Sequence, residues 1–106
     1  MASITFIELP PFTRFIYQYM SDEEYQGLQG YLATFPQAGD VIPGTRGCRK
    51  VRWGAEGRGK RGGVRVIYYY QAKNGYIFLL TIYAKNEEAS LPNHFVRRLR
   101  EEIQDD

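Results

Sequence analysis

Apolar residues change their spacing along the chain, and each change marks an element. Ile4 to Leu9 (ITFIEL) reads as a short strand that Pro10 and Pro11 stop. Phe12, Phe15, Ile16 and Tyr19 then recur at helical spacing and predict a brief first helix. Ser21-Asp22-Glu23-Glu24 has the form of a capping box, and Tyr25, Leu28, Tyr31 and Leu32 follow as the buried stripe of a second helix ending near Pro36. After turn chemistry in VIPGTRG, the run CRKVRW alternates as a strand. Val51 and Trp53 fall on one face, and Cys48, Lys50 and Arg52 on the other. A glycine-rich loop, about 54 to 63, leads to a strand from Val64 to Gln71. Asn74-Gly75 is a hairpin signal. YIFLLTIYAK, apolar on both faces, is the pattern of a central, covered strand. Ser90 fits an N-cap with Pro92 in the first turn of a last helix, whose stripe is Phe95, Val96, Leu99 and Ile103, with Arg97, Arg98 and Arg100 mainly off it. The order is β-α-α-β-β-β-α, an α+β fold with two N-terminal helices on one face of a small, mostly antiparallel sheet and a C-terminal helix.

A chain of 106 residues holds one core, so residues 1–106 are expected to form a single domain. Net charge is only +2, yet residues 46 to 65 hold eight of the fourteen Lys/Arg and a single acid, Glu56, leaving the remainder net acidic. A field concentrated in this way points to an anionic partner, nucleic acid first among them. The lone Cys48 excludes an intrachain disulfide and suits a reducing compartment. The start, MASITFIELPPF, lacks a basic n-region, and no apolar run approaches a membrane span, so a cytoplasmic protein without a membrane partner is expected.

Within GRGKRGGVRVIYYY, Gly57 to Gly62 matches the letters of a dinucleotide-binding loop, and Gly54 to Lys60 imitates a P-loop. Both motifs need a helix next, to present its amino terminus to phosphate. VRVIYYY is β-branched and aromatic, hence a strand, and both matches are rejected. The glycines instead suit a hairpin loop carrying Arg58, Lys60 and Arg61 toward a phosphate backbone.

Lys50 and Arg52, two apart on a strand, project from one face roughly 6–7 Å apart. Arg65, between Val64 and Val66, opens the neighbouring strand. It either emerges beside them or pairs with Glu87 or Glu88. Period-two alternation sends Tyr68 and Tyr70 to one face and Tyr69, with Arg65 and Ile67, to the other.

Familiar enzyme constellations are absent. His94 is the only histidine, no metal set is apparent, and no cofactor is called for. Cleavage of RNA by its own 2′-hydroxyl suits such equipment, because the substrate supplies the nucleophile. Arginines can stabilise the phosphorane, and a lysine among other cations is a candidate base.

The strand CRKVRW, then GKRGGVRVIYYY, then FLLTIYAKNEE, with SDEEY on the second helix and GDVIPGT before the sheet, resembles the RelE/ParE superfamily of type II toxins, and within it the HigB-like branch. The likeness covers most of residues 20 to 88. It implies a RelE-like fold, helices on a twisted antiparallel sheet, and a metal-independent, ribosome-dependent mRNA endonuclease (mRNA interferase) that inhibits translation. The implied partners are the ribosome, its mRNA and a cognate helix-turn-helix antitoxin. The family's site residues fall on Lys50, Arg52, Arg65, Lys85 and Asn86, while Arg46, Arg49, Arg58, Lys60 and Arg61 would bind RNA or ribosome. Asn86 stands where RelE-branch relatives have a further arginine, no residue matches their C-terminal tyrosine, and His94 lies outside the terminal His motif of some HigB proteins. A ParE-like gyrase inhibitor and a non-catalytic nucleic-acid-binding module are the alternative readings.

Overall fold

The computed structural model describes residues 3–54 and 63–105, without the side chains of 88–90. Eight elements alternate in the expected order with one addition: β1 (Thr5–Glu8), α1 (Pro10–Tyr19), α2 (Asp22–Thr34), β2 (Asp40–Val41), β3 (Arg49–Trp53), β4 (Val64–Gln71), β5 (Tyr76–Ala84) and α3 (Asn93–Glu101). A 3₁₀ segment, Lys85–Ser90, separates β5 from α3. The five strands form one sheet in the order β1-β5-β4-β3-β2, with only the β1–β5 pair parallel.

The two sheet faces are filled by different helices. Phe12 and Ile16 of α1 and Tyr25, Leu28 and Leu32 of α2 pack with Val51, Val66, Tyr68, Ile77, Leu79 and Ile82. On the opposite face Val96 and Leu99 of α3, with Ile103, cover Cys48, Ile67, Leu80 and Tyr83. Proline leads α1, where its missing N–H is no loss. The capping box of α2 is complete: Glu24 N–H donates to Ser21 Oγ (3.1 Å), and Ser21 N–H to the Glu24 carboxylate (2.8 Å).

Between Ile67 and Tyr68 the β4–β5 register jumps, Ile67 facing Thr81 and Tyr68 facing Leu79. Leu80 is thus an extra residue, a bulge that turns both Leu80 and Thr81 toward the α3 side. The tyrosine alternation follows expectation. Tyr68 and Tyr70 join the α1/α2 cluster, and Tyr69 the other.

The β4–β5 hairpin forms where the Asn-Gly signal stands, over the four residues 72–75, with Gly75 alone of them having positive φ (70°). Three local expectations give way. The two-residue β2 opens the VIPGTRG turn, too short to carry a period. Pro92, rather than Ser90, is the N-cap of α3. Arg100 is buried at 3% exposure, because 96, 99, 100 and 103 share one helical stripe. Its guanidinium lies 3.9 Å from the Tyr69 ring centroid and donates to the Arg46 carbonyl, the Ile103 carbonyl and Asp105. Asp105 also pairs with Arg46, so one carboxylate ties two arginines. No helix among the described residues is long and apolar enough to cross a membrane.

Candidate functional site

β3 and β4 bring together what the sequence separates by a loop. Their register sets Lys50 opposite Ile67, Val51 opposite Val66 and Arg52 opposite Arg65. Side chains of even-numbered β3 residues emerge on the α3 side of the sheet. Lys50, Arg52 and Arg65 therefore occupy one surface, where neighbouring strands lie about 4.8 Å apart. With Asp40 of β2 they line a cleft of about 330 Å³. Arg65 is buried (7% exposed), Lys50 half-buried and Arg52 exposed.

Like charges directly opposite on paired strands cost roughly 0.2–1 kcal/mol. Arg65 carries a further desolvation cost that an exposed position would avoid. The row holds the donors that a phosphodiester needs: planar forks from two arginines and an ammonium from Lys50.

The other anticipated residues are distributed differently. Lys85 and Asn86 are exposed just past β5 and line, with Gly63 and Ala84, a separate cavity of about 410 Å³. In the β4–β5 register the Val64–Ala84 pair is next to the Arg65–Tyr83 pair. Arg49 points to the opposite face, and its guanidinium donates to the carbonyls of Gly39 (2.7 Å) and Gln37 (3.2 Å). Arg46 is drawn to Asp105 at the far end of the α3 side. Arg58, Lys60 and Arg61 lie outside the described residues. Gly57 to Gly62 leads into the strand β4 rather than a helix, as the rejection of both nucleotide-loop motifs requires.

Glu87 accepts from Tyr19 Oη (2.7 Å) and from the Ala84 N–H (3.0 Å), which hold its carboxyl below the usual range, and the side chain of Glu88, the other acid expected near Arg65, lies outside those described. Burial, then the bond to Glu87, pushes the Tyr19 hydroxyl up to about 12. Asp40 is the cleft residue that pattern reading passes over, since an acid ahead of a Pro-Gly turn carries no periodic signal. Only pairing of β2 with β3, Asp40 opposite Lys50, places it there.

No family model matches the sequence. Among solved structures the chain is similar to a double arginine-to-alanine variant of the E. coli toxin RelE in the free state, at 13% identity and a TM-score of 0.59, over 95% of this chain and 97% of that one. The fold is that of RelE. The intact E. coli RelBE toxin–antitoxin complex matches at 14% identity and a TM-score of 0.54, over 78% and 96% of the respective chains. The RelE variant bound to an antitoxin RelBc peptide matches at 10% identity and a TM-score of 0.54, over 84% and 94%.

Proposed function

We propose that this chain is the toxin of a type II toxin–antitoxin pair, of the HigB-like branch, and that it cuts mRNA on the translating ribosome. The observation that supports this most is the opposed Arg52–Arg65 pair with Lys50 in a single cleft. The RelE fold adds to it, and solved relatives in complex with the antitoxin RelB or its peptide support a proteinaceous inhibitor as partner.

In this reading the cleft holds one phosphodiester of the message. Arg65, fixed by its strand and its burial, faces the phosphorus, and Arg52 shares the charge that grows on the non-bridging oxygens. The nucleophile is the adjacent 2′-oxygen, and the P–O5′ bond breaks to leave a 2′,3′-cyclic phosphate and a 5′-hydroxyl. Lys50 is placed to give a proton to the departing oxygen. The ribosome supplies the in-line alignment that this small cleft lacks. No metal is required, because the arginines carry the charge stabilisation. Lys85 and Asn86, in the next cavity, contact the neighbouring nucleotide.

Controlled expression with transcript mapping tests the reading. Breaks confined to translated regions support it, and intact transcripts with a DNA-damage response would replace it with gyrase poisoning.

A further inference from the structure

We infer that Asp40 is the proton acceptor for the attacking 2′-hydroxyl, an assignment that rests on the RNA-cleaving reading above. The other residues of the cleft, Lys50, Arg52 and Arg65, are donors when charged and accept nothing. Cleavage needs both a donor for the leaving oxygen and an acceptor for the 2′-proton. An ionised carboxylate is acceptor-only. Among the described residues Asp40 is the one acid lining this cleft, and no hydrogen bond or ion pair with another described residue occupies its carboxylate.

Its position is built, although β2 is two residues long. Gly39 N–H donates to the buried Tyr68 hydroxyl (2.9 Å), which donates in turn to the Pro36 carbonyl (2.8 Å). Arg49 clasps the Gly39 and Gln37 carbonyls from the same side. A side chain at Gly39 would stand 2.8 Å from the Lys50 carbonyl oxygen and 3.0 Å from the Tyr68 ring, so glycine lets β2 close onto β3. Two strands distant in sequence, β3 through Arg49 and Lys50 and β4 through Tyr68, thus hold the backbone one residue before Asp40. Among the described residues, the charged groups that line the cleft with the carboxylate are Lys50 and Arg52 from β3 and Arg65 from β4.

The step balances without a co-reactant. The 2′-O–H proton passes to an Asp40 oxygen as the 2′-oxygen bonds to phosphorus. The P–O5′ bond then breaks, and the 5′-oxygen takes a proton from the Lys50 ammonium. Exchange with water returns both side chains to their starting forms.

Single-turnover cleavage of a defined mRNA on purified ribosomes, beside binding of that mRNA complex, tests the assignment. Asp40→Asn is expected to lower the cleavage rate about 10²–10⁴-fold. Its affinity for ribosome-bound mRNA is expected to equal or exceed that of wild type, and its melting temperature to stay unchanged. Asp40→Glu is expected to keep part of the rate. An Asp40→Asn rate equal to wild type, or a rate loss accounted for by weaker binding of the mRNA complex, would overturn the assignment while leaving the nuclease reading in place. Intact mRNA with the wild-type protein would overturn both.

Discussion

Arg52 and Arg65 face each other directly across β3 and β4, one exposed and one buried. The pair sets two guanidinium groups on the α3 side of the sheet, beside Lys50 and Asp40. Each arginine alone resembles an ordinary solvated or paired cation.

Replacing Arg65 by alanine is expected to cut ribosome-dependent cleavage about 10²–10³-fold, the usual loss when one stabilising donor is removed from a developing oxyanion. Stability is expected to change little, because about 0.2–1 kcal/mol of repulsion with Arg52 is relieved as buried packing is lost. Arg65→Lys keeps the charge without the planar fork and is expected to remain well below wild type. Single-turnover rates beside circular-dichroism melts measure both effects.

Tyr68→Phe leaves the Gly39 N–H and the Pro36 carbonyl without their buried partner. Stability is expected to fall by about 1–3 kcal/mol. Denaturant unfolding gives the number, and faster amide exchange over residues 39–41 would locate the loosening at β2. Unchanged exchange there would show that Arg49 alone fixes the segment.

The tie between α3 and the turn before β3 depends on an ionised carboxylate. The bond from Arg100, then the nearby Arg46, hold the Asp105 carboxyl below its ordinary range. A depressed carboxyl stabilises the folded state above its unfolded pKa of about 3.9, and that contribution fades as pH falls through the lower folded value. The folded protein is therefore expected to lose the tie on acidification, and Asp105→Asn to lack that part of the acid dependence. Melting temperature measured against pH for both proteins is the check.

Ser21→Ala removes the acceptor for Glu24 N–H at the start of α2. A loss of about 0.5–2 kcal/mol is expected from thermal unfolding, with cleavage by the remaining folded protein unaltered.

What the sequence disclosed depended on whether a feature repeats. The stripe Phe12–Ile16, the Ser21–Glu24 box and the alternation through Val51 and Trp53 each recur at a fixed interval, and the structure keeps all three. Lys50, Arg52 and Arg65 could be placed on one surface because strand period two fixes the face of each. Arg49 and Arg46 have the same charge and neighbourhood, but hydrogen bonds to distant carbonyls and to Asp105 decide where they point. The charge of Arg100 argues for solvent while its position argues for the apolar stripe, and stacking on Tyr69 decides for the stripe. Asp40 enters the cleft through a strand pair of two residues, and pairing at that scale leaves no periodic trace.

The most direct test of the central claim uses end-labelled mRNA, purified ribosomes and the folded protein, with fragment ends analysed chemically. The expected result is cleavage only when ribosomes are present, with 2′,3′-cyclic phosphate termini, and its loss in the Arg52→Ala/Arg65→Ala protein. Intact message with wild-type protein on programmed ribosomes, or equal cutting by the double variant, would contradict a cleft built to hold a scissile phosphate.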